Sequence, residues 1–149
     1  MFKRLFLVTV CLFVASQAFA QSNGKVEIVS KDVGPIRSSS AYAEVLLRKT
    51  ELLAEIEAYL ADYTEENPRV IDTRTELTFL TADIDRLYAV KPSETGKLTQ
   101  ALGRLIVRRA ALEVDLSRLL RNYNKDHPDV KRAMQRVKIF QSAIKEILG

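Results

Sequence analysis

The chain has 149 residues, 23 Lys and Arg against 19 Asp and Glu, a formal charge of +4 and a single cysteine. That length suits one ordinary domain, and a lone cysteine excludes a disulfide framework and a thiolate metal cluster. The charge is too modest to define a nucleic-acid binder by itself.

Residues 1–20 read as a secretory signal. Lys3 and Arg4 give a positive start, Leu5 to Ala15 an apolar run, and Ala18-Phe19-Ala20 a small-x-small cleavage pattern before Gln21. The run is short of the roughly 20 residues that span a membrane, so cleavage is preferred to an uncleaved anchor. The expected location is periplasmic or secreted. Cys11 lies inside the signal, with none of the small residues that precede a lipoprotein cysteine, so the exported product is expected to lack cysteine. Losing Lys3 and Arg4 leaves 21 bases against 19 acids.

Residues 21–40 read as an extended or flexible lead. Lys25-Val-Glu-Ile-Val29 alternates like a short strand, Gly34-Pro35 interrupts it, and Ser38-Ser39-Ser40 offers helix caps.

From residue 41 the chain repeats itself. Residues 41–88 align with 101–148 at a constant offset of 60, with eight identities over 48 positions. The frame that recurs is Tyr63, Pro68 and Val70 against Tyr123, Pro128 and Val130, in one register with heptad-spaced apolar residues on both sides. In the first copy, 41–90, the outgoing helix carries Tyr42, Val45, Leu52, Ile56, Tyr59 and Tyr63 on its seam, interrupted by Lys49. Leu46, Leu53 and Leu60 widen that stripe enough to touch more than one other helix. The return helix carries Val70, Thr73, Leu77, Leu80, Ile84 and Leu87. After a loop at 91–96, the second copy, 97–149, runs through Leu98, Leu102, Leu105, Leu112, Leu116, Leu119 and Tyr123. It returns through Val130, Ala133, Val137, Phe140, Ile144 and Ile147. Helices of about 23 residues would be about 35 Å long.

The proline segments read as chain reversals. Proline suits the first turn of a helix, and Asn67 or His127 before it can cap. Acidic Glu65, Glu66, Asp126 and Asp129 lie near the positive helix starts.

The two copies differ in charge. Residues 41–90 hold eleven acids and five bases; residues 97–148 hold twelve bases and five acids. The sign inverts at seven equivalent positions, among them Glu44/Arg104, Asp72/Arg132 and Glu76/Arg136. The pattern suits hairpin-on-hairpin docking, within a chain or between chains, and acts on partner choice and register rather than on stability. Lys49 and Arg109 share one seam position. Such a residue either fixes register or lays its stem over apolar surface with its charge in water.

No catalytic, cofactor-binding or metal-ligating set emerges. His127 is the only histidine and stands where the first copy has Asn67, which suits a cap. No Gly-x-Ser-x-Gly or phosphate-binding loop is present. Tyr63 and Tyr123 are expected to finish the seams and hydrogen-bond across the turns; ligand-binding aromatics at the hairpin tips are the alternative. The basic second hairpin could attract an anionic glycan or lipid, whereas nucleic acid is not expected for an exported chain.

Tyr123, His127, Pro128 and Val130, followed by spaced apolar residues, resemble the periplasmic helical hairpins of the polysaccharide chain-length determinant and export co-polymerase family. That resemblance implies a coiled-coil element acting near envelope glycan export. The signal, the strand-like Lys25 to Val29 and the long helices are also similar to holdase chaperones of the Skp/OmpH type, which implies basic arms that clasp unfolded clients.

The expectation is therefore an all-α protein: two tandem antiparallel coiled-coil hairpins, four helices in all, after a cleaved signal and a short lead. It is read as a self-associating, non-enzymatic scaffold or assembly element of the cell envelope, with an envelope protein or anionic glycan or lipid as further partner. The interaction candidates are Tyr63, Asn67, Pro68, Tyr123, His127, Pro128, Lys49, Arg109, Arg104, Arg132 and Arg136.

Overall fold

The computed structural model of the chain describes residues 34–149. The signal, its cleavage site and the strand-like Lys25 to Val29 lie outside the described residues. What is described of the 21–40 lead is one helical turn, α1 (Gly34–Arg37), rather than extended chain. Its Ile36 is buried, and this apolar side chain gives the turn something to pack on.

Four long helices follow, packed antiparallel in adjacent pairs: α2 (Ser40–Asp62), α3 (Pro68–Tyr88), α4 (Gln100–Asn122) and α5 (Pro128–Leu148). Every boundary of the second pair falls 60 residues after its counterpart in the first. The helices are 23 and 21 residues long in both pairs. α2 begins at a cap, where Ser39 accepts from the Tyr42 N–H, and α4 does the same with Thr99 and Leu102.

The two proline turns have one conformation. Tyr63 and Tyr123 end their helices at φ −129°, ψ 157° and φ −132°, ψ 151°. Asn67 and His127 stand before the prolines at φ −59°, ψ 130° and φ −58°, ψ 135°. That is the extended ψ a following proline imposes. Asn67 Oδ1 accepts from the Arg69 N–H at 2.9 Å, and His127 Nδ1 from the Asp129 N–H at 3.2 Å. The 91–96 connection is tighter than an ordinary loop: Pro92–Lys97 is a 3₁₀ turn. Lys97 Nζ there binds Glu94 and the Leu148 carbonyl, holding the end of α5 to the base of the bundle.

The pairs do not make equal use of their seams. α4 lies against α2, α3 and α5, so it is the central helix, whereas α5 packs mainly on α4. α3 buries eight residues and α5 only Val130 and Val137. A helix with three neighbours needs more than one apolar face, and α4 has a second one in Ile106, Ala110 and Val114, outside its expected seam. Leu52, Leu80, Leu87, Leu102 and Ile106 are fully buried. Each contributes about 1.5–3 kcal/mol relative to exposure.

Gly103 sets the α2–α4 crossing. A Cβ there would stand 2.7 Å from Glu44 Cβ and 2.9 Å from the Ala41 carbonyl oxygen. Only a residue without a side chain lets the backbones approach this closely. The Ala41 N–H donates to the Leu98 carbonyl at 3.2 Å beside it.

Candidate interaction surfaces

Three places stand out as candidate surfaces: the polar α3–α4 junction, the two proline tips, and the apolar outer faces of α2 and α5.

At the α3–α4 junction, acids of the first pair meet bases of the second. Asp72 Oδ2 accepts from Arg118 Nε at 2.6 Å and its Oδ1 from Arg121 Nη2 at 2.7 Å. Desolvation there pushes the Asp72 carboxyl up, but the hydrogen bonds from Arg118 and Arg121 outweigh it and hold the group below the ordinary aspartate range. About three turns further along α3, Arg109 Nη2 donates to Asp83 Oδ2 in a pair where the residues are 5% and 3% exposed. Arg86 reaches the other Asp83 oxygen at 3.0 Å, and Glu113 lies 3.5 Å from Arg109 Nη1. Of the two roles open to the shared seam position, the structure gives Arg109 the buried one, bridging the two helix pairs. Lys49 is half-buried, beside Tyr88.

The sign-inverted positions do not pair one to one. Glu44 and Arg104 do meet, at 3.7 Å. Asp72 instead meets Arg118 and Arg121. Glu76 turns inward to Arg48 of its own pair, at 2.9 and 3.1 Å. Those two hydrogen bonds raise the Arg48 guanidinium above its usual value against the opposing effect of burial. The physical reason is topological. The return helix α3 docks on the outgoing helix α4, so equivalent residues of α3 and α5 lie on different sides of the bundle.

At the tips, Tyr123 stacks on His127 with ring centroids 4.2 Å apart. Tyr63 meets Tyr59 edge-on at 6.5 Å, and the Arg69 guanidinium lies 5.9 Å from its ring. The contact at Tyr123 is thus a ring stack rather than the expected hydroxyl hydrogen bond across the turn, and both tyrosines are exposed. Pro68 and Pro128 are exposed at the first position of their helices. Glu65 is paired with Arg74 at 2.9 Å, which holds its carboxyl below the ordinary range. Arg132 is held by Asp129 of its own helix, and among the described residues Arg136 has no ion-pair partner.

The outer faces are apolar and open. On α2, Leu46, Leu53 and Leu60 are exposed, and so is Leu47, at 59%. The stripe expected to reach a further helix therefore has no neighbour on it among the described residues. On α5, Ile139 is 56% exposed, and Phe140, Ala143 and Ile147 are half-buried. A groove of about 630 Å³ between α4 and α5 has Leu116, Met134 and Val137 in its lining, with Lys131 and Lys138 at its rim.

Compared with protein-family models, curated protein sequences and solved structures, the chain has no significant match in any of the three. Among the described residues no helix is long and apolar enough to cross a membrane, and no group of His, Cys, Asp and Glu is placed to hold a metal ion.

Sequence reasoning missed Asp83 and Gly103 as interface residues; Asp72 was among the sign-inverted docking positions, without its partners Arg118 and Arg121. Asp83 stands beside the α3 seam, next to Ile84, while Arg109 occupies a seam position of α4.

Proposed function

We propose that the chain is an exported, self-associating scaffold or assembly element of the cell envelope, built from two copies of one coiled-coil hairpin and acting without catalysis. The observation that carries this reading is the unpartnered leucine face of α2, which lies on the acidic pair while the basic α5 presents an open apolar face of its own. An exposed apolar patch of this kind, rimmed by charge, marks an interaction surface. The apolar residues at the start of the chain support export, and the Tyr123, His127, Pro128 element supports a place beside envelope glycan export.

A second reading, a holdase chaperone, draws on the groove around Leu116 and Met134. Its lysine rim and its unbranched, adaptable methionine suit a varied apolar client. The two readings separate in one set of assays on the tagged full-length chain. The scaffold reading expects it outside the cytoplasm, in assemblies larger than one chain, with no effect on aggregation of a urea-denatured outer-membrane protein. Stoichiometric suppression of that aggregation would favour the holdase, and retention in the cytoplasm would overturn both.

A further inference from the structure

Two hollows of the bundle are related by the same offset of 60 residues. The first, about 160 Å³, has Arg48, Glu55, Tyr59, Arg69, Asp72, Thr73 and Glu76 in its floor, and Val114 and Arg118 of α4 close over it. The second, about 320 Å³, is lined by Asp115, Leu119, Asp129, Arg132, Ala133 and Arg136. Those are six of the seven floor positions moved on by 60, without Arg108, the counterpart of Arg48. It has the floor of the first hollow and lacks the roof.

The roof has counterparts as well. Sixty positions before Val114 and Arg118 stand Ala54 and Ala58, both exposed on the outer face of α2. Ile106 and Ala110, buried where α4 docks in the bundle, correspond to exposed Leu46 and Thr50; half-buried Val107 corresponds to exposed Leu47. The helix that starts the first pair therefore offers to solvent the positions that its counterpart uses for docking. The helix that ends the second pair leaves open the positions its counterpart uses to receive.

We infer that α2 of one chain docks on the open α5 face of a second copy, repeating between chains the junction by which α4 sits on α3 within one. Charge agrees with this pairing. α2 carries five acids and two bases, and α5 five bases and two acids, so the attraction is between whole helices, since Ala58 and Ala61 stand where Arg118 and Arg121 do. Relative to the junction within a chain, the floor exchanges Asp72 and Glu76 for Arg132 and Arg136, and the two arginines that grip Asp72 have no charged counterpart on α2. The donor and receiver surfaces differ, so the contact is head-to-tail and propagates into a chain of subunits or closes as a ring. Ala43 stands where Gly103 does, so the crossing between chains is wider than the one inside them by about a methyl group. The inference deepens the self-association proposed above by naming its two faces.

Thiol cross-linking tests it on the full-length chain in a Cys11→Ser background. Ala54→Cys and Ala133→Cys place thiols on the roof and the floor, on opposite faces of one bundle. With a short bifunctional reagent, the doubly substituted chain gives a ladder of cross-linked species. A mixture of the two single variants gives dimers and nothing larger, and each single variant alone stays monomeric. Dimers from one single variant alone would overturn the head-to-tail contact in favour of a two-fold one. Monomers throughout would overturn the second copy as occupant, and a thiol at position 54 that resists the reagent in such a monomer would put residues 21–33 of the same chain on that face. Leu47→Glu and Arg136→Glu, with helicity checked by circular dichroism, provide a second readout. Leu47→Glu weakens association by about ten- to a hundredfold, the loss of one buried leucine. Unchanged association in both variants would also overturn the inference. Cellular fractionation reports on the envelope reading independently, so loss of either leaves the other standing.

Discussion

The buried Asp83–Arg109 pair makes the sharpest prediction about how the two helix pairs are held. Both side chains are almost wholly withdrawn from water, so removing either strands the other. Asp83→Leu leaves Arg109 with Glu113, 3.5 Å away, as its remaining counter-charge, and is expected to cost about 3–5 kcal/mol. Arg109→Met is milder, about 3 kcal/mol, because Arg86 remains 3.0 Å from Asp83 and reaches water. The double variant removes both buried charges and fills the space with apolar atoms. Its stability is expected within about 1 kcal/mol of the parent, or above it. Urea unfolding of the four proteins closes the cycle, with midpoints compared at constant m. Double-variant destabilisation equal to the sum of the singles would refute the direct pairing. Near-neutral single variants would refute the burial.

Other outcomes follow from the same geometry. Gly103→Ala gains about 1 kcal/mol of helix propensity but forces a methyl against Glu44 and Ala41, so a net loss of about 1–2 kcal/mol is expected in urea unfolding. A stabilised variant would contradict the close crossing. Asp72 has its folded pKa below the unfolded value, so its contribution is present above pH about 4 and fades as pH falls through the lower folded value. Asp72→Asn should therefore reduce stability at pH 7 and flatten the loss between pH 5 and pH 2 measured by urea midpoints; an unchanged acid slope would count against the Arg118 and Arg121 clamp. Asn67→Ala removes the cap on α3 and is expected to cost about 1 kcal/mol by thermal or urea unfolding; no change at all would mean that the turn holds without its side chain.

The proline turns and helix lengths were legible because their determinants are local: a capping residue, a proline at the first helical position and an unbroken apolar period. The seam residues that end up buried in α3 were legible for the same reason. What the pattern does not carry is which helix becomes central. α2 and α4 have similar seams, and only in three dimensions does α4 take three neighbours and need Ile106, Ala110 and Val114 as a second face. The widened stripe of α2 was visible, but periodicity records that a face is apolar and not which chain covers it. Charge inversion agreed with acids of the first pair meeting bases of the second, but of the inverted positions Glu44 and Arg104 meet directly while Asp72 finds Arg118 and Arg121. Asp72 lies 46 residues from Arg118 and Asp83 lies 26 from Arg109, and pairing at such separations depends on how the helices stack. Gly103 was silent because its role comes from the backbone of another helix.

Sedimentation velocity of the full-length chain over a range of concentrations, at about 50 mM and about 500 mM salt, tests the open-face account most directly. The account predicts a sedimentation coefficient that rises with concentration, and a rise that shrinks at the higher salt as screening weakens the acidic α2 against the basic α5. A single species of one-chain mass, indifferent to both concentration and salt, would contradict it.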